Sequence, residues 1–277
     1  MRAIDVHVHP STRGLDTRAC NYFRRDLSDI PRTADQFADL YSTHDVKALL
    51  IGWHPSTVQE GMRNTNEHVI DLANRYPNAF AGILASLDTS APNLDQVAND
   101  ADELLKNPTV KGFKFHPPDQ GFYPNDKKYY GIWEVLQAGD KPVMFHVGFT
   151  VLGANTDGGS GIALDYGRPI HLDTLARDFP RMTIIAAHPG WPWQEELIGV
   201  LTHKKNLYVD ISGYLAEQLP EIFLKAIGGR LQDKVLFGTD FPYVDLERAL
   251  VSFDKVNFKD TVKQKILCAN AKALFNL

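Results

Sequence analysis

The chain alternates between short, dense apolar runs and longer segments in which apolar residues recur every three or four positions. Eight runs stand out, at residues 3–8, 46–51, 79–84, 110–115, 142–147, 182–187, 207–211 and 235–238. Each ends in Gly, Pro or a polar residue, as strands buried on both faces of a parallel sheet do. Most are separated by about 25 to 40 residues, enough for a loop, a helix and a return loop.

The intervening segments carry helix signals. Thr33 is placed to cap a helix with Phe37 and Leu40 on one face, and Asn93 to cap one carrying Leu94, Val97, Ala101, Leu104 and Leu105. The stretch 66–76 ends before Pro77, 128–138 stops at Gly139, and 171–179 ends before Pro180. Segments 192–203 and 215–227 continue the plan, the second interrupted by Pro220, and 246–275 breaks near Asn257. Strand and helix thus alternate about eight times, which predicts a mainly parallel sheet. The fold expected is α/β: a distorted (β/α)₈ TIM barrel, one domain over residues 1–277, since such barrels take about 250 residues. No Gly-x-Gly-x-x-Gly follows the first strand, which excludes a dinucleotide-binding reading.

Composition narrows the functions. The 277 residues are 44% hydrophobic and 23% charged, with a formal charge of −5. Short basic stretches such as Lys204-Lys205 look like solvated helix ends, so no nucleic-acid partner is expected. No apolar stretch approaches the roughly 18 residues that span a bilayer, so no membrane partner is expected. Met1–Val6 enters a strand-like run without a signal-peptide pattern, and a cytoplasmic protein is the default expectation. Cys20 and Cys268 fit no metal-spacing motif and read as free thiols.

The polar residues at the strand ends bring in chemistry. In these barrels active sites lie where the strands end. Here strand one ends in His7 and His9, strand four in Lys114 and His116, strand five in His146, and strand six in His188. Strands seven and eight supply Asp210 and Asp240. Residues i and i+2 of a strand share a face, so His7 and His9 can chelate one cation, with Asp5 expected on the same face. Asp240 ends an apolar run, and a buried carboxylate is costly unless paired or metal-bound. Two or three His with one Asp suit one divalent ion: Zn²⁺ first, with Mn²⁺, Fe²⁺ or Co²⁺ also admitted.

Five blocks appear in order: Asp5-Val-His-Val-His9, Gly112-Phe-Lys-Phe-His-Pro117, Phe145-His-Val-Gly148, Ala187-His-Pro-Gly190 and Gly238-Thr-Asp-Phe-Pro242. Through them the chain resembles the amidohydrolase superfamily, in particular its branch of aminocarboxymuconate-semialdehyde decarboxylase-like enzymes. The resemblance implies that His7, His9, His146 and Asp240 hold one metal ion. It implies that His188 is the general acid/base and that Asp240 shares in proton transfer. His116 is open between orienting substrate and packing. Lys114 is open too, since some superfamily members carry a carboxylated lysine there. Asp210 reads as a partner that orients a His.

The loops suggest the substrate side. Residues 149–169 contain five glycines and form a candidate lid. Arg168 is a candidate for a substrate carboxylate, and Arg13, Arg18, Arg24 and Arg25 are similar candidates. Trp191 is placed to bind substrate; Trp193, Trp53, Phe122 and Tyr123 are further walls for a flat ligand, and His54, after strand two, is a candidate to touch the pocket. The partner expected is a small-molecule substrate, with a homodimer allowed for. Two activities fit. One is a hydrolase of a lactone, amide or related carbonyl compound, using metal-activated water. The other is a nonoxidative decarboxylase or hydratase of an aromatic-derived acid. The hydrolase is preferred because the chain is short for the insertions that shape some decarboxylase pockets.

Overall fold

Eight parallel strands follow one another around a single sheet in sequence order, in a computed structural model describing residues 1–13, 17–53 and 64–277. They are β1 (Ala3–Val8), β2 (Val46–Ile51), β3 (Phe80–Ala85), β4 (Val110–Phe115), β5 (Val143–His146), β6 (Ile184–Ala187), β7 (Leu207–Asp210) and β8 (Val235–Leu236). The barrel closes between last and first strands. Val6 N–H donates to the Phe237 carbonyl at 3.0 Å and His9 N–H to the Phe241 carbonyl at 2.8 Å. Asp240 N–H donates to the His7 carbonyl at 2.9 Å.

The helices form where the capping chemistry put them. Thr33 caps Ala34–Thr43 in a reciprocal box with Gln36, and the Asn93 side chain accepts from Asp95 and Gln96 ahead of Leu94–Leu105. Pro220 separates a short 3₁₀ turn, Ala216–Gln218, from the helix Glu221–Ile227. The last expected helix is broken after Lys255, and a π-helical turn, Lys265–Ala269, interrupts its second half. A short helix, Thr17–Tyr22, follows β1, where the sequence carries no clear helical period.

Two apolar layers result. The larger lies between sheet and helices and contains Ala3, Val8, Phe113, Phe115, Val143 and Phe145. The smaller fills the barrel with Ile4, Val6, Leu49, Ile51, Leu84, Met144, Ile185, Ala187 and Leu236, joined by Ala271 and Phe275 of the final helix. Strict alternation holds in β4 and β5: Phe113 and Phe115 face out, so Lys114 and His116 face in. β1 departs from it. Its register with β2 shifts between Asp5 and Val8, one extra residue lying in β1. This bulge lets His7 follow Val6 on the inner side. It also corrects the expectation for Asp5, which turns away from the pair. Its carboxylate accepts from Tyr41 Oη at 3.2 Å and from Thr239 N and Oγ1 at 2.9 and 2.6 Å.

Candidate active site

A cavity of about 890 Å³ opens at the ends of the strands. At its floor His7, His9, Lys114, His116, His146, His188 and Asp240 meet, all from the inner face or the turns just beyond it. Two of them hold left-handed backbone, His188 at φ 73° and Asp240 at φ 66°. Such conformations cost of order 1–3 kcal/mol for non-glycine residues and gather at functional sites. Gly213 packs against His188: a Cβ there would lie 3.1 Å from His188 Nδ1, on a backbone at φ +77°.

One donor set is compact. Ligand atoms of His7, His9 and Asp240 all lie within 4.8 Å of one another. Asp240 Oδ1 is 3.4 Å from His7 Nε2 and 3.2 Å from His9 Nε2. His9 Nδ1 is buried without a partner. Burial drives His7 down to about 3, with the Lys114 ammonium adding to the effect, so its imidazole is neutral at ordinary pH. Its Nδ1 lies 3.0 Å from Asp210 Oδ2, so the proton sits on Nδ1 and Nε2 keeps its lone pair. That lone pair faces an Asp240 oxygen, two acceptors with no proton between them. A cation resolves the conflict, so the residues fit a divalent ion. Lys114 Nζ, 3.4 Å from His7 Nε2, answers it in part.

Asp210 organises the neighbours. Burial alone would raise it, yet His7 beside it, followed by His188 and Lys114, holds it well below the usual carboxylate range. Its Oδ1 accepts from His188 N at 3.2 Å, from Ser212 N at 2.9 Å and from Ser212 Oγ. With its own proton given to Asp210, Ser212 Oγ can only accept from His188 Nδ1, 2.9 Å away. The Ser212 carbonyl is a second acceptor for Nδ1 at 3.1 Å. His188 therefore carries a proton on Nδ1, and Nε2 is its other reactive position. Asp240 is likewise pushed up by burial but brought below the carboxylate range by its neighbours, among them the His9 hydrogen bond and His188.

The remaining expected residues are placed as follows. His146 is 4.7 Å from His188 and 4.0 Å from His116, ring centre to ring centre. Its Nε2 donates to the Phe149 carbonyl at 3.1 Å, which leaves the lone pair on Nδ1. His116 Nδ1 accepts from Asp119 N, capping the turn Pro117–Gln120. Burial lowers both His116 and His146 well below the usual histidine range. Trp191 lines the cavity, half-exposed, against Phe149. Trp53 also lines it, packed edge-on to His9 and His116. Arg168 does not line it: its guanidinium grips Glu196 through Nε at 3.1 Å and Nη2 at 2.9 Å. Phe122 is buried against Phe115 and Trp133, and Tyr123 donates to Asp165 at 2.9 Å. His54 lies outside the described residues. Ser212, two residues beyond the end of β7, is a further residue of the site, and its spacing from Asp210 is the signal the sequence carries for it. Cys20 and Cys268 are not joined in a disulfide. No helix among the described residues is long and apolar enough to cross a membrane.

Comparison with known proteins gives the family and the fold. The Amidohydrolase family profile matches residues 4–277. The gamma-resorcylate decarboxylase of a Polaromonas species is 22% identical over 88% of this chain and 87% of its own. An uncharacterized TIM-barrel protein from Bordetella bronchiseptica superposes with a TM-score of 0.84 at 23% identity, covering 100% and 99% of the two chains. A dihydroxybenzoic acid decarboxylase from Polaromonas, solved with bound manganese and an inhibitor, superposes at 0.72 with 19% identity, covering 99% and 97%.

Proposed function

The chain belongs to the amidohydrolase family, and from that premise we propose that it is a metal-dependent, nonoxidative decarboxylase of an aromatic carboxylic acid. The observation that carries the proposal is the His7, His9 and Asp240 donor set on the floor of a cavity with aromatic walls, beside His188. The hydrolase preference drawn from chain length gives way here. A decarboxylase relative aligns with this chain over most of both lengths, so the shortness argument loses its force.

In this reading His7, His9 and Asp240 hold one divalent ion, with His146 beside them. The ion would bind substrate oxygens and stabilise the negative charge that develops as carbon dioxide leaves. The residues of the chain do the rest. Asp210 fixes the His7 tautomer, so that Nε2 is a ligand. Ser212 fixes His188 with Nδ1 protonated, and burial lowers the ring's pKa, so a second proton taken up on Nε2 from solvent is readily given to the ring carbon. The carbon–carboxylate bond breaks with its electron pair retained on the ring, and that carbon takes the proton. Trp53 and Trp191 would flank a planar ring.

The test is an assay of purified protein loaded with Mn²⁺ or with Zn²⁺. Carbon dioxide release from 2,6-dihydroxybenzoate and a panel of aromatic carboxylic acids is measured beside lactone opening. Carbon dioxide release without lactone opening is expected. Lactone opening with no carbon dioxide from any acid would return the protein to the hydrolases.

A further inference from the structure

The cavity has two poles. The inner one is the histidine–carboxylate floor. The outer one is cationic: Arg24, after β1, and Arg248, in the first turn of the helix Leu246–Lys255, are both exposed and both line the cavity. Neither side chain has a hydrogen bond or ion pair with another described residue.

The pairing is built into the fold. Arg25 is clamped to that same helix, its Nη2 at 2.9 Å from Asp245 Oδ2 and its Nε at 3.2 Å from the Pro242 carbonyl. Asp245 is the helix cap, and its other oxygen accepts from Arg248 N at 2.9 Å. The clamp therefore holds the backbone next to Arg24 against the helix that carries Arg248, and it engages both oxygens of Asp245. Arg24 holds a left-handed backbone at φ 52°, on the residue just before the clamped one. Among the described residues neither guanidinium group has a counter-ion, in a chain whose net charge is −5.

We propose that Arg24 and Arg248 bind a second anionic group of the substrate, and that the substrate class is an aromatic dicarboxylate rather than a monoacid. The inference rests on the aromatic-acid reading above. One carboxylate lies over the floor, the ring lies between Trp53 and Trp191, and the second carboxylate meets the two arginines. A guanidinium fork matches a carboxylate in two parallel hydrogen bonds. An uncompensated cationic rim also draws a dianion toward a protein that would otherwise repel it.

Calorimetric titration of the metal-loaded protein with benzoate and with isophthalate, the matching 1,3-dicarboxylate, tests this. Isophthalate is expected to bind at least about tenfold more tightly than benzoate at low salt. In the Arg24→Gln, Arg248→Gln double variant that preference should vanish, with isophthalate falling to the affinity of benzoate. Equal affinity of the two acids for the unmodified protein would overturn the dicarboxylate assignment and leave the aromatic-acid reading standing. Equal losses for both acids in the double variant would also overturn it. Binding of neither acid would remove both readings together.

Discussion

The two halves of the barrel interior are made by the same strands and the turns that follow them, a few residues apart, yet they have opposite chemistry. In the lower half Ile4, Val6, Met144, Ile185 and Leu236 fill the space with hydrocarbon. In the upper half the same strands and the turns just beyond them supply His7, His146, His188 after Ala187, and Asp240. The lower layer gains from exclusion of water and tolerates no polar atom. The upper layer consists of groups that are expensive to bury and are made tolerable by one another. The contrast teaches that the barrel separates stability from chemistry along the strand axis, so a substitution's consequence depends on its height in the barrel.

Substitutions at the two heights should therefore fail differently. The largest effect belongs to the upper layer: Asp240→Asn should cost at least about a thousandfold in turnover, with metal content near zero by elemental analysis. Retention of stoichiometric metal would break the assignment. In the lower layer Leu49→Ala should destabilise the fold by about 2–5 kcal/mol in denaturant titration, while metal binding per folded molecule persists. A variant of full stability would mean that the inner layer is not the stabilising one. Asp210→Asn, which acts only through its neighbours, should weaken metal affinity by about 10–100-fold, read by competition with a chelator.

The smallest effect is a pH dependence. Burial lowers Lys114 to about 8, although Asp210 and Asp240 oppose it. Below that pH its ammonium stands beside His7 Nε2 and repels an incoming cation. Above it the amine is neutral. Mn²⁺ affinity should thus rise about tenfold as pH goes from 7 to 9, and Lys114→Met should flatten the rise. A profile unchanged by that substitution would assign the dependence to another group.

Much of this arrangement was legible along the chain. Regular strands with the period-two pattern, β4 and β5, put Lys114, His116 and His146 where alternation said they belong. Capping residues such as Thr33 and Asn93 announced their helices. What alternation could not report was a break in alternation. The β1 bulge reverses Asp5 against His7, and a bulge leaves no compositional trace in a run as apolar as this one. Pairing partners were equally invisible. Arg168 and Arg24 are equal candidates for a substrate carboxylate in the sequence, and the fold separates them by bringing Glu196 to Arg168, 28 residues on, and by clamping Arg25 beside Arg24 to Asp245. Single-sequence patterns carry local geometry, whereas such partnerships are decided by tertiary closure.

One feature of that closure reaches beyond the site. Asp240 N–H donates to the His7 carbonyl, so the proposed ligands from the two ends of the chain are already joined where β8 meets β1. An ion bound by His7, His9 and Asp240 would span that seam. It would act as a clasp on a hoop, tying the first strand made to the last. Its binding free energy would then add directly to the work of unfastening the barrel.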